Sequence, residues 1–585
     1  MLGEPLCLAQ ERRDDDSQSL ALPRFSVPGG VYTNRILVEI QPNSPSTTIR
    51  YTVDGSEPTE LSMKYSRGLE ITNSTLLKAK GFAAGQRPGL TISQTFTVLH
   101  ESLWAFNSNL PLVIINTFGQ NISHQDKVAA SIRFIKPIGG RTSLLGVADV
   151  DGRVEINVRG NTSRQFPKSS FTLKLKNDQG QPLKVPLLGL PAESDWVLYA
   201  PYFDRTLIRD VLAYDLSNQI GRYAPRTRFV EVFAAGAKGE LMDRDYLGLY
   251  VLEEKIKPGK YRVDIDEMGI GEDASSGGYI FKKDHVDPTE TGFRTERGIH
   301  FLYVYPKEGE ISEEQKSWLG NYLNQFERVL YGRRFAAPTN GYSRYLDVDA
   351  FIDHYWLVEM SKNVDGFRFS TFLHLNQSGK LKMGPIWDWD QSFGNANFYD
   401  GASSEGWYWP YIRETEIRWF ARLMQDADFQ QRYVDRWAEL RNGPFATSNI
   451  LARMDELTAS FDEAQKRNSQ RWPTRQSYEE YIRKMKQWIR GRIAWIDQQF
   501  LPAPGFSLQE SASIPGGVLI MQAPKGEIYY TTDGTDPRQP GGAISSASHR
   551  YQSPLACNEP MQVFARAYLP NNWGSPTKTA LPLPR

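Results

Sequence analysis

Two aspartates, Asp365 and Asp388, stand at the open ends of one predicted β-hairpin. The run from Asp365 to Leu375 places Phe367, Phe369, Thr371, Leu373 and Leu375 at alternate positions, which reads as a strand with one apolar face. Asn376-Gln-Ser-Gly379 supplies turn residues, Lys380 to Ile386 runs back, and Trp387-Asp388-Trp389-Asp390 closes the hairpin. Paired strands lie ~4.8 Å apart, so the two carboxylates are expected within roughly 5–10 Å of each other. A carboxylate able to act as a base, set beside one able to hold a metal ion, is the equipment of phosphoryl transfer. Asp388 and Asp390 are two residues apart and would face the same way on a strand. Asp388 is the principal candidate ligand for a magnesium or manganese ion, with Asp390 second or structural.

Phosphoryl transfer also needs positive charge on the phosphates. Neither G-x-x-x-x-G-K-[ST] nor G-x-G-x-x-G occurs, so side chains must supply that charge. Arg159 and Lys168 are the candidates, because strands Val154–Val158 and Phe171–Leu175 can pair and bring both to one end of a loop. Trp387 and Trp389 could wall a base pocket, and core packing is the competing role for at least one of them. The seven histidines form no H-E-x-x-H and there is no G-x-S-x-G, which removes the common zinc-hydrolase and serine-hydrolase readings. Paired carboxylates with many aromatics also fit glycoside hydrolysis, but no barrel-like βα alternation accompanies them.

The surrounding pattern divides the chain. Residues 110–290 mix strands, beginning at Leu112–Asn116, with a helix expected at about 204–220. Beyond 310 the chain reads as mostly helical. Asp347 is a candidate N-cap for a helix with Val348, Phe351, Ile352, Tyr355 and Val358 on one face, delivering the chain to Asp365. Ile482, Met485, Ile489, Ile493 and Ile496 recur at three- and four-residue steps in a last helix.

Three separated motifs carry a resemblance. Lys362-Asn-Val-Asp-Gly-Phe-Arg-Phe-Ser-Thr371 with Gly384-Pro-Ile-Trp-Asp-Trp-Asp-Gln-Ser-Phe-Gly-Asn395 resembles the spore-coat-protein-H (CotH) family of atypical protein kinases. Arg159-Gly-Asn-Thr-Ser163 with Phe166-Pro-Lys-Ser-Ser170, and Tyr246-Leu-Gly-Leu-Tyr-Val-Leu-Glu-Glu254, resemble its other hallmarks. The resemblance implies ATP and a divalent ion bound between two lobes, with Asp365 catalytic and Asp388 the metal ligand. By the same analogy Glu253, or its neighbour Glu254, would pair with Lys168. Position 370 is Ser, where an ordinary kinase catalytic loop has a metal-binding Asn.

The ends of the chain are related to each other. Ile49-Arg-Tyr-Thr-Val-Asp-Gly-Ser-Glu-Pro-Thr59 matches Ile528-Tyr-Tyr-Thr-Thr-Asp-Gly-Thr-Asp-Pro-Arg538 almost position for position. Each Asp-Gly is read as a tight hairpin turn inside a small β-sandwich. Both segments resemble the immunoglobulin- or fibronectin-like module at the C-terminus of chitobiases and bacterial hexosaminidases. Such modules act as spacers or as glycan- or surface-contacting appendages, and they are expected to fold independently.

The expected plan is therefore multidomain: a central α+β, two-lobed, atypical-protein-kinase-like domain between two small all-β sandwich domains. The divisions are 1–24 (disordered tail or signal-peptide remnant), 25–98 (first sandwich), 100–500 (CotH kinase-like domain) and 506–583 (second sandwich). The expected function is transfer of the γ-phosphate of ATP to Ser or Thr of an exported protein. The alternative is a non-catalytic cell-surface or glycan-binding protein on the same scaffold.

With 68 Lys plus Arg against 68 Asp plus Glu, no global field favours nucleic acid. No apolar run of spanning length occurs, so no transmembrane segment is expected. The two cysteines, Cys7 and Cys557, give neither a disulfide framework nor a zinc site. Cys7-Leu-Ala9 reads as the cleavage end of a signal peptide or as a cytosolic start followed by a disordered tail, and the flanking modules favour export.

Overall fold

The computed structural model describes residues 20–581 except 43, 237–238, 270–271, 287–289 and 377–378. The cleavage-like Cys7-Leu-Ala9 and most of the charged tail lie outside the described residues. The chain divides into two compact units: residues up to 202 with 227–255 and 459–474, and 203–226 with 256–458 and 475 onward.

The first unit holds the first sandwich and a closed seven-stranded barrel. The barrel runs through Leu112–Asn116, Val128–Ile135, Ala148–Arg159, Ser170–Lys176, Asp195–Tyr199, Tyr246–Glu254 and Thr227–Ala235. Parallel pairing of the last strand with Leu112–Asn116 closes it. The expected pairing holds, with Val154 opposite Leu175 and Arg159 opposite Ser170. Alternate residues such as Val113, Ile115, Ile132, Phe134, Leu173, Trp196 and Val232 fill the interior. Closure removes the exposed edges that so many apolar strands would otherwise present.

Both copies of the Asp-Gly motif fold alike. Asp54 Oδ1 accepts from the N–H and hydroxyl of Ser56, and Asp533 Oδ1 does the same for Thr535. Gly55 and Gly534 take φ of 82° and 79°, as only glycine does without strain. The motif does not close a two-residue hairpin as expected. After Thr48–Thr52 the chain runs on to Met63–Lys64 before pairing back, because the Asp side chain satisfies local backbone donors in an Asx-type turn.

The second unit carries the helices and a five-stranded sheet ordered Gly292–Arg294, His300–Tyr305, Tyr279–Lys283, Thr371–Leu375, Lys382–Met383. The helix expected at about 204–220 is Arg209–Gln219. Asp347 caps Val348–Ser361 by accepting from Ala350 N–H at 3.0 Å. That helix is not one-sided as its apolar spacing suggested: it is buried on nearly every face, Asp353, His354 and Glu359 included. In Tyr478–Gln498 the expected stripe Ile482, Met485, Ile489, Ile493 and Ile496 is buried.

Each sandwich makes contacts with the rest of its own unit. In the first unit Ser74 N–H donates to Gly239 O, and Val31 packs against the apolar core that holds Leu112, Ile114 and Phe233 of the barrel strands. In the second unit the Arg566 side chain, 3% exposed, bonds Asp435 on the helix Ala427–Arg441 as well as Asp536 of its own module. Among the described residues no helix is long and apolar enough to cross a membrane.

Candidate functional site

The helix Val348–Ser361 ends at Lys362, whose φ of 48° reverses the chain as a left-handed cap. Asn363 Oδ1 accepts from Asp365 N–H at 3.1 Å, and Asp365 O accepts from the N–H groups of Arg368 and Phe369 at 2.9 and 2.8 Å. Asp365 thus sits in a compact turn rather than on the expected strand. Phe367 and Ser370 adopt positive φ, 70° and 47°, which breaks the alternation that suggested a strand. Gly366 is required here, since a Cβ would come within 2.7 Å of Val358. The hairpin itself exists in shorter form, with Leu373 opposite Met383 and His374 opposite Lys382. Part of its expected turn, residues 377–378, lies outside the described residues.

Asp388 follows that hairpin on an irregular loop and takes φ of 62°. Asp388 and Asp390 are therefore not on a strand facing one way: Asp388 is exposed and Asp390 half-buried. The loop is fixed by the helix Arg209–Gln219. Asp388 N–H donates to the Tyr214 hydroxyl at 3.1 Å, and Trp389 N–H donates to the Asp210 carboxylate. Trp389 Nε1 donates to Ser361 Oγ at 2.9 Å, while Arg209 Nε donates to Ser392 O at 2.9 Å. Trp387 is largely buried and stacks on Tyr214 with ring centres 6.3 Å apart.

The aspartates influence one another. Burial first, and then the charge of Asp388, push Asp365 up to about 7. Burial and the charges of Asp388, Asp210 and Asp365 hold Asp390 well above the usual carboxylate range. Burial is the larger cause in both, and the neighbouring like charges add to it.

A second set of contacts fixes the segment that follows. Glu359 and Arg492, both fully buried, pair at 3.1 Å. Glu359 also accepts from the N–H groups of Tyr408 and Trp409, and Arg492 donates to Ser404 O and Gly406 O. The Lys362 ammonium reaches Asp400, Ser403 O and Glu405 O.

Asp365, Asp388, Asp390 and Trp387 all belong to the second unit; Arg159, Lys168 and Glu253 belong to the first. Arg159 ends the strand Ala148–Arg159 and Glu253 is buried on Tyr246–Glu254. Lys168 is buried, donates to Leu249 O and to Asn468 Oδ1 at 2.9 Å, and lies 4.8 Å from the Tyr250 ring centre.

Sequence reasoning did not find Asp210, Tyr214 or Arg209. A signal was present: adjacent Arg209 and Asp210 precede the apolar run Val211-Leu-Ala-Tyr214 at the start of a helix, and buried charges of that kind need partners.

Comparison with family models places the description "CotH kinase protein" on residues 156–496, more than half of the chain. The chain belongs to the CotH kinase family. In this CotH-family chain the first sandwich matches the chitobiase/β-hexosaminidase C-terminal domain over 27–93, and the second matches the Fn3-associated domain over 518–580. No individually curated protein matches the chain. The molecule is thus a multidomain, kinase-family protein with a mixed α/β central region and all-β flanking modules.

Proposed function

We propose that this chain is a two-lobed phosphotransferase that moves the γ-phosphate of ATP to a Ser or Thr hydroxyl of an exported protein. The observation that carries this reading is the gathering of Asp365, Asp388 and Asp390 on backbone that the helix Arg209–Gln219 and the Lys362 turn hold fixed. Mutual repulsion of carboxylates is a standing cost to the fold, and binding of a cation relieves it.

Among the described residues no three acidic, imidazole or thiol groups form a ready metal cage. Magnesium does not require one, since it takes one or two carboxylates, keeps several waters and shares phosphate oxygens. The donors here are carboxylate oxygens, which suits magnesium or manganese. Asp388, with Asp390, would hold the ion; when bound, such an ion neutralises charge building on the phosphates.

Asp365 would accept or orient the proton of the attacking hydroxyl, and a carboxyl poised near neutrality suits that work. Arg159 and Lys168 would hold phosphate oxygens, Glu253 would orient Lys168, and Trp387 would border the base. Export is supported by the two flanking modules of extracellular type.

Titration calorimetry of the full chain with ATP and magnesium or manganese tests this reading. Saturable binding is expected in the wild type and in Asp365→Asn, with none in Asp388→Ala. A wild-type chain without saturable binding overturns it.

A further inference from the structure

The two sandwich modules share a motif and a strand register, so residues the fold needs can be separated from residues it does not. In the first module Leu37 pairs with Glu70 and Val38 with Leu69; in the second Val518 pairs with Ala556 and Leu519 with Leu555. Arg50 lies opposite Lys64, as Tyr529 lies opposite Arg550. Buried Val38 and Ile71 accordingly correspond to buried Leu519 and Cys557. On that register Arg35, Arg67 and Glu70 stand where the second module has Gly516, Ser553 and Ala556. The sandwich therefore forms without those charges.

In the first module the same residues line a cavity of 820 Å³, together with Lys64, Tyr51 and Leu37. That volume lies within the roughly 300–1,000 Å³ typical of small-ligand sites. Lys64 and Arg67 are exposed, and the Arg35–Glu70 pair at 2.9 Å has both side chains mostly in water. A surface ion pair of this kind contributes only about 0–1 kcal/mol to stability. Leu37 is 60% exposed on its strand. Gly68 lets the Leu37 side chain lie close against the backbone, since a Cβ there would be 2.9 Å from Leu37 Cδ1.

The lining offers three cations against one anion, with an aromatic ring, two leucine side chains and the Ser66 hydroxyl between them. We propose that this groove binds an anionic saccharide. Arg35 and Arg67 can fork carboxylate or sulfate groups, and Lys64 adds a point charge. Tyr51 and Leu37 offer apolar surface to the C–H face of a sugar ring. Nucleic acid is disfavoured, since tight phosphate-backbone binders use about 6–10 contacts and this groove has three cations. A uniformly acidic peptide such as polyglutamate would match the charge but offers no ring face to the apolar surface.

Native gels cast with polygalacturonate, neutral dextran or polyglutamate test this with the full chain. Polygalacturonate should retard the wild type, less so as salt rises, while dextran and polyglutamate should not. Lys64→Ala with Arg67→Ala should weaken retardation at least tenfold, and Arg550→Ala in the second module should leave it unchanged. Both altered residues are exposed, and an unchanged melting temperature would show that the fold is intact. Absence of retardation by polygalacturonate overturns the proposal. So does equal retardation by polyglutamate, or an equal loss with Arg550→Ala.

Discussion

The backbone N–H of Trp389 donates a hydrogen bond to the carboxylate of Asp210, tying the Asp388 loop to the helix Arg209–Gln219. Asp388 itself takes a positive φ that a non-glycine residue adopts only when its surroundings enforce it. Asp210 is therefore a positioning residue for the proposed metal ligand. Asp210→Ala should lower metal-dependent nucleotide affinity by about 10–100-fold, the usual effect of losing a group that orients a ligand. Asp210→Asn keeps an acceptor oxygen for the Trp389 N–H and should lose less. Calorimetry on both variants separates the two, and equal affinities in all three proteins would remove Asp210 from this role.

The buried pair Glu359–Arg492 anchors the segment from Ser404 to Trp409. Burial raises the pKa of Glu359 and lowers that of Arg492, and each charge stabilises the other where water is excluded. Arg492→Met would leave Glu359 buried without its counter-ion, at a cost of about 3–5 kcal/mol. Denaturant unfolding should register that loss as a lower midpoint.

His354 lies between Phe367 and Trp389, at ring-centre distances of 5.9 and 6.3 Å, and is fully buried. Neither ring nitrogen has a hydrogen-bond partner among the described residues. Burial lowers its pKa from 6.5 to about 3. Between those values the unfolded chain binds the proton and the folded chain does not. The stability that neutral His354 contributes is thus complete above pH 6.5 and falls as pH drops towards 3, by up to about 1.4 kcal/mol per pH unit. His354→Leu should flatten the stability profile over that window. An unchanged slope would contradict the assignment.

Arg566 joins the second sandwich to the helix Ala427–Arg441 through Asp435. Arg566→Met should lower the melting temperature of the whole second unit rather than unfold the sandwich alone. Two separate transitions in calorimetry would show that the module is independent after all.

Features that depend on near neighbours are readable in the sequence. The Asp347 cap, the isoleucine stripe of Tyr478–Gln498 and the twin Asp-Gly turns each rest on residues a few positions apart. The pairing of Val154–Val158 with Phe171–Leu175 needs only a short connection and is likewise visible. Asp365 misleads, because Phe367 and Phe369 alternate as a strand would while positive φ at Phe367 folds them into a turn. Asp210 is hidden for a different reason: its partner Trp389 is 179 residues away, and no local pattern records that contact. Barrel closure depends on parallel pairing of Leu112–Asn116 with Thr227–Ala235 and is equally non-local.

Transfer of label from γ-labelled ATP to the chain itself or to a generic protein acceptor, with magnesium or manganese, tests the proposed function most directly. The wild type should transfer, Asp388→Ala should not, and Asp365→Asn should bind ATP yet turn over about 10²–10⁴-fold more slowly. Transfer by Asp365→Asn at the wild-type rate, or no ATP-dependent transfer by the wild type, would contradict it.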